Sequence, residues 1–395
     1  MAANTRVRIG LIFSYWANWI GGSYYIINLI EALKTLPTHQ QPHICLFVYE
    51  QKDSEIVKKL HYPFISYHLI DDAPTYNSNG YNIVERLLNQ ISLSLRGYLY
   101  IDKRPVNLTL LFPNPPHLYY FEHIPKSKQI YWIPDFQEKY LPHLFDEEEL
   151  NRRASHHRVL VNKKLPLVFS SFAALNDFKT FYPDTQNRVW ILQFAVTHEP
   201  YAHLNTADLL QKFALPTHYF FAPNQFWVHK NHIVVIKAIE LLKAKGIECV
   251  VAFSGKEYDN RNPNYTEDLK QYVKEHQLQD NIKFLGFIDR SEQLKLMKEA
   301  VAIIQPSLFE GWSTVVEDAK AMNQCIIASD LSVHREQLAD EGNFFNPHQP
   351  ESLAVYLEAL YHQKSLPRYT KNYSQKVQEF ALNFMNIVSE VSNYA

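Results

Sequence analysis

Short apolar runs alternate with longer stretches of helical periodicity along this chain, and that alternation leaves few folds open. Runs of strand length fall at 7–13, 44–48, 64–69, 108–112, 129–132, 167–170 and 189–192, with helical patterns at 24–33, 83–95, 147–161 and 173–181 among them. The rhythm then restarts, with strand-like runs at 219–223, 250–254, 282–285, 302–305 and 325–329 and helical patterns at 232–245, 292–298 and 314–322. Strands separated by helices pair in parallel, and parallel sheets need helices on both faces. Two such sets, joined by a polar stretch at 198–206, predict an α/β chain of two doubly wound, Rossmann-like domains. A chain of 395 residues also exceeds the roughly 100–200 that one core ordinarily organises. Doubly wound domains bind ligands beyond the carboxyl ends of their strands, so two of them facing each other make an enzyme-like cleft.

Composition narrows the function classes. Lys and Arg number 39 against 41 Asp and Glu, a net charge of −2 that gives no field for nucleic acid. No stretch reaches the roughly 18 consecutive apolar residues of a membrane span. Arg6 and Arg8 ahead of the run 9–13 faintly suggest a signal peptide, but that run is too short, and it reads as the first strand. Cys45, Cys249 and Cys325 each lie in a strand-like run, odd in number and far apart, and read as buried thiols of a cytoplasmic protein. Glycine is scarce, at 10 residues, so each one marks a place where backbone geometry needs it.

The richest chemistry lies at 302–317. A buried strand ends near Gln305, a loop carries Glu310, Gly311, Trp312 and Ser313, and a helix starts near Thr314. Free N–H groups and the dipole at such a helix start suit a diphosphate. Gly311 allows backbone to approach a ligand, Glu310 accepts from sugar hydroxyls, and Glu317 lies one turn inside. Glu317 has a second reading, because Thr314-x-x-Glu317 is also a capping box that needs no ligand.

Pro306-Ser307-Leu308-Phe309-Glu310-Gly311-Trp312, followed by Glu317-Asp318-Ala319-Lys320-Ala321-Met322 and Ile326-Ile327-Ala328-Ser329-Asp330, resembles the donor-site signature of family-4 (group 1) glycosyltransferases of the GT-B fold. That signature has two glutamates with seven residues between them, whereas six separate Glu310 from Glu317. The stretch 281–288, ending at Ile288, resembles the strand and turn over which the family lays its nucleotide base, and Phe253-Ser254-Gly255 resembles an earlier strand end. The segment 219–231 resembles the strand-loop that holds an Arg and, five residues on, a Lys against the donor phosphates. Lys230 matches the Lys, and Gln225 stands where the Arg usually is. In the first half, Ile20-Gly21-Gly22-Ser23 resembles the family's glycine loop, although ordinary turn chemistry explains it as well. Trp132-Ile133-Pro134-Asp135 resembles the strand end carrying a His-Asp pair, with Asp135 kept and Pro134 in the histidine's place.

The resemblance implies a retaining transfer of a sugar from a nucleoside-diphosphate sugar, used as co-substrate without a further cofactor, to a saccharide, lipid-linked or protein acceptor in polysaccharide or glycoconjugate synthesis. It assigns Glu310 and Asp135 to catalysis. Donor binding goes to Gly21, Gly22, Gln225, Lys230, Ile288, Gly311, Trp312, Ser313, Thr314 and Glu317. Residues 1–198 are expected to form the acceptor-side domain and 199–373 the donor-side domain, with 374–395 a helix crossing back to the first. Arg152, Arg153, Arg158, Lys163 and Lys164 make a basic stretch of the kind that touches anionic lipid in some relatives, which would place the protein peripherally at the inner membrane face. Asp146 to Glu149 nearly cancel it, and a solvated helix face explains it too. Tyr15, Trp16, Trp19, Trp227 and Trp312 could stack on sugars or simply fill core. A sugar-nucleotide epimerase of the same fold and an inactive sugar-nucleotide-binding subunit are the alternatives. His156 and His157 face different sides of a helix and lack a third ligand, so no metal site is expected. No Asp-x-Asp motif is present either, while a helix start and Lys230 are available for the phosphate charge. Transfer is therefore expected to proceed undiminished in excess chelator, and activity restored only by magnesium or manganese would contradict this.

Overall fold

The computed structural model describes residues 6–15, 20–70, 83–96, 107–115, 121 and 124–393. Its first half runs β1 (Arg8–Phe13), α1 (Ile20–Lys34), β2 (His43–Val48), α2 (Gln51–Lys58), β3 (Ile65–Leu69), α3 (Ile83–Arg96) and β4 (Leu110–Phe112), then β5 (Tyr131–Ile133), α4 (Gln137–Tyr140), α5 (Glu147–Asn162), β6 (Leu167–Phe169), α6 (Phe172–Phe181) and β7 (Val189–Ile191). Its second half runs α7 (Thr206–Lys212), β8 (Phe220–Ala222), α8 (His232–Ala244), β9 (Val251–Phe253), α9 (Tyr265–Glu275), β10 (Ile282–Phe284), α10 (Arg290–Glu299), β11 (Ile303–Gln305), α11 (Thr314–Ala321), β12 (Ile326–Ser329), α12 (Ser332–Leu338), β13 (Asn343–Phe345), α13 (Pro350–Tyr361) and α14 (Tyr373–Asn393).

All strand pairings within the sheets are parallel. The first half orders its strands β3-β2-β1-β4 and β5-β6-β7, and an isolated parallel bridge from Leu111 to Gln129 brings the two sheets edge to edge. The second half is one sheet, β10-β9-β8-β11-β12-β13. Strand order reverses between β1 and β4 and again between β8 and β11, and these switch points are where such sheets open a crevice. The loops after β8 and β11 carry Gln225, Lys230 and Glu310, so the topology explains why those residues converge.

The expected strands are present with ends within one or two residues of expectation, β2 one residue longer and the others shorter, as the ends of short elements commonly vary. The helix α7 begins where a polar join was expected. The elements α2, α4, α9, α12, β13 and α13 went unanticipated; β13 is three residues at a sheet edge, too short to show a period.

Ile9, Leu11 and Phe13 of β1 bury against Tyr25, Leu29 and Leu33 of α1. Into the same core α14 inserts Val377, Phe380, Phe384 and Val388, although this helix follows the second sheet in sequence. Tyr25 anchors the junction: its ring stacks on Trp132 at 4.4 Å, meets Phe380 edge-on at 5.8 Å, and its hydroxyl donates to the Leu192 carbonyl at 3.2 Å. No helix among the described residues is long and apolar enough to cross a membrane. Cys45, Cys249 and Cys325 are free and buried. Phe384 is 1% exposed with its ring 5.9 Å from that of Phe112, so Phe384→Ala should leave a cavity costing about 3–5 kcal/mol. A fall in the denaturant midpoint of the first-domain transition reads this out, and an unchanged midpoint would mean that α14 is not integral to that core.

Candidate functional site

A cavity of about 940 Å³ separates the two halves, lined from the first by Gly21, Tyr24, Asp135, Phe145 and Arg153 and from the second by Gln225, Lys230, Arg261, Arg290, Glu310 and Asp318 among others. The loop between β11 and α11 supplies its floor. Ser313, not Thr314, caps α11 by accepting from the Val316 N–H at 3.3 Å, so the Thr314/Glu317 capping box does not form. Ser313 and Thr314 both line the cavity at this helix start.

Glu310 turns its carboxylate back along the strand. Its Oε1 accepts from Lys230 Nζ at 2.5 Å, Gln305 Nε2 at 2.7 Å and Ser307 Oγ at 2.7 Å. Burial alone would raise its pKa, but the Lys230 charge, His334 and the hydrogen bonds outweigh burial and hold it below the usual glutamate value. Lys230 reaches the site because Asn231 takes left-handed backbone, with φ of 55°, where asparagine is tolerated. The Asn231 side chain then ties the two loops together, donating to the carbonyls of Pro306 at 3.1 Å and Pro347 at 2.8 Å.

Across the cleft, Asp135 follows β5 and accepts the Gln137 N–H at 3.1 Å. Burial raises its pKa, with Arg153 partly opposing. Asp135 and Glu310 thus face the cavity with pKa values shifted in opposite directions. Gly311 lies between them. A Cβ there would come within 2.4 Å of the Pro134 carbonyl and 2.8 Å of Asp135 Cβ, so this glycine serves the approach of the two domains. Trp312 also spans the gap, its indole N–H donating to the Phe194 carbonyl at 3.0 Å.

Two expected donor residues, Glu317 and Gly22, fall elsewhere. Glu317 is 1% exposed and does not line the cavity. Its carboxylate accepts from Lys320 at 2.7 Å, Gln337 at 3.0 Å and the Tyr373 hydroxyl at 2.7 Å, joining α11 to α12 and α14. One residue further round the helix, by about 100°, Asp318 lines the cavity and pairs with Arg290 at 2.6 Å and His198 at 3.1 Å. Burial pushes the Asp318 pKa up, but Arg290 and His198 outweigh it and keep it below the ordinary value. Residues 311–317 put seven positions between Glu310 and Asp318, so the spacing itself pointed at Asp318.

Gly21 and Gly22 belong to the first turn of α1 and not to a loop; Gly21 lines the cavity and Gly22 does not. Gln225 and Ile288 both line it. Trp16 and Trp19 lie outside the described residues, whereas Tyr15, Trp227 and Trp312 line the cavity. Arg152 and Arg153 also line it, paired with Glu149, so the basic stretch is not simply a solvated face. Arg290, Arg261, Tyr24 and His198 gave no sequence signal, because only tertiary packing brings them to the cleft.

Residues 212–377 match the model of the family described as glycosyl transferases group 1. That match covers less than half of the chain. O-antigen chain mannosyltransferase RfbU of Salmonella typhimurium is 26% identical over 194 residues, 49% of this chain and 51% of that protein, so the chain spans about half the length of the curated relative it matches. The structure of sucrose-phosphate synthase from Thermosynechococcus elongatus shares the fold with a TM-score of 0.67 at 15% identity, covering 99% of this chain and 100% of that one. HepE of Anabaena, in complex with UDP and glucose, gives a TM-score of 0.61 at 15% identity over 98% of this chain and 95% of that one. The fold of the chain is GT-B, two parallel-sheet Rossmann-like domains around a cleft.

The loop 306–313 touches the partner domain through glycine backbone. Gly311→Ala should therefore hold the domains apart, raising the radius of gyration in small-angle scattering while leaving secondary structure intact. An unchanged radius would show that the loop accommodates a methyl group by local movement.

Proposed function

We propose that the chain is a retaining glycosyltransferase moving a hexosyl group from a nucleoside-diphosphate sugar to an acceptor in polysaccharide or glycoconjugate synthesis. The observation that carries this reading is the convergence of the α11 start, Lys230 and Glu310 at one switch point, directly across a cavity from Asp135. The family match over residues 212–377 supports it, as do the mannosyltransferase named for the Salmonella relative and the UDP and glucose named for the Anabaena structure. On this reading residues 1–198 are the acceptor side and 199–373 the donor side. The diphosphate lies against the N–H groups of Thr314 and Val315, since that of Ser313 already donates to Gln337 at 3.1 Å, with the base over Ile288 and the sugar beside Glu310.

Catalysis then rests on charge placement. The bond from the anomeric carbon to the leaving phosphate oxygen breaks, the acceptor oxygen bonds to that carbon on the same face, and the phosphate takes the acceptor proton. Glu310, kept ionised by Lys230, presents negative charge to the positive charge that develops on the sugar. Oε1 carries its three hydrogen bonds, which leaves Oε2 for the substrate. Asp135 orients the acceptor from the opposite wall.

An inactive binding subunit draws support from Gln225, which engages the Lys256 N–H at 3.1 Å. One experiment separates the readings. Glu310→Gln should bind the nucleoside diphosphate as the parent does but transfer sugar about a hundredfold more slowly, because the lost interaction belongs to the transition state. Slow donor hydrolysis by the parent excludes the binding subunit, and a fully active Glu310→Gln or an inverted product by NMR overturns the mechanism.

A further inference from the structure

A bound nucleoside diphosphate brings several negative charges to the α11 start, and the cations already described there are engaged. Lys230 is paired with Glu310, Arg290 with Asp318, and Arg152 and Arg153 with Glu149. Arg261 differs. It lies on the stretch 254–264 between β9 and α9 and lines the cavity together with Gln225, Trp227 and Lys230. Its Nε donates to Asp259 Oδ1 at 3.2 Å, and its backbone N–H donates to the same oxygen at 3.0 Å. Its two terminal nitrogens have no protein acceptor among the described residues.

The guanidinium also lies near two aromatic rings. It lies 5.6 Å from the Trp227 ring and 5.1 Å from the ring of Phe145 in the first domain, which Arg153 also approaches at 5.0 Å. These cation–π contacts leave the terminal N–H groups free, an arrangement that suits a phosphate. The stretch is delivered to this place by two contacts. Gly255, with φ of +154°, passes so close under Asn224 that a Cβ would lie 2.2 Å from its carbonyl. The Gln225 side chain then accepts the Lys256 N–H. Buried His229 lies near both cations, held neutral by burial and by the charges of Lys230 and Arg261.

We propose that Arg261 is the second cation of the donor diphosphate site, supplied from the β9–α9 connection while Gln225, at the end of β8, acts as its tether. Resting on the glycosyltransferase reading, the proposal concerns donor phosphate and not a phosphate on an acceptor. The test titrates the intact chain with UDP, GDP, ADP and dTDP by calorimetry, then carries the tightest, with its nucleoside, into variants. Arg261→Gln should weaken the diphosphate at least about tenfold, the loss expected for a charged hydrogen-bonding partner. It should leave nucleoside binding within about twofold, and Arg261→Lys should recover part of the loss. Adding Gln225→Arg to Arg261→Gln should also recover affinity by returning a cation to the end of β8.

Equal weakening of nucleoside and diphosphate would make Arg261 a loop anchor and overturn the proposal. Parent-like diphosphate affinity in Arg261→Gln would overturn it too, and a raised KM for acceptor alone would reassign the arginine to the acceptor. Failure of the parent to bind any nucleoside diphosphate would instead count against the glycosyltransferase reading itself.

Discussion

Gly311 has no side chain, and through it the backbone of the donor-side loop lies against the end of β5 in the other domain. A Cβ would meet Pro134 and Asp135 at distances that real Cβ atoms do not show. Much of the site depends on this approach, because it brings Glu310 and Asp135 to one cavity. The same seam is held by polar contacts. Glu336 on α12 accepts from the free N–H groups of Phe172 at 2.8 Å and Ala173 at 3.0 Å, and from Gln193 at 2.5 Å. A carboxylate at a helix start is favourable for the reason that makes α11 suit a diphosphate. One helix start of the molecule is thus filled from within, and another faces the cavity.

Charge inside the cleft is arranged in pairs. Lys230 with Glu310 and Arg290 with Asp318 each place opposite charges where solvent is scarce, and such pairs roughly break even in stability. Their consequence is better sought in protonation. Both carboxylates stay below their ordinary values, while Asp135, against which burial outweighs Arg153, is pushed up. Glu317, on the same helix as Asp318, is consumed by the fold: Lys320, Gln337 and Tyr373 surround it, and α14 is thereby tied to α11 as well as to the first domain's core.

The sequence by itself determined the fold class and much of the donor side. Apolar runs separated by helical patterns force parallel pairing, and a strand–loop–helix ending in Glu310, Gly311 and Ser313 is local, so nearby spacing reveals it. Lys230 was legible for the same reason. Tertiary structure decided the rest. Choosing between Glu317 and Asp318 needed the rotation of α11 relative to its neighbours, since adjacent helix residues face directions about 100° apart. Gly311 read as a ligand contact and does line the cavity, but its close approach to the opposite domain was visible only once that domain stood against it. Arg261 lies on a connection whose sequence carries no period, Arg290 at the first residue of α10, and His198 on a join. Their place at the cleft follows from contacts between residues far apart in the chain, which pattern along the chain does not encode.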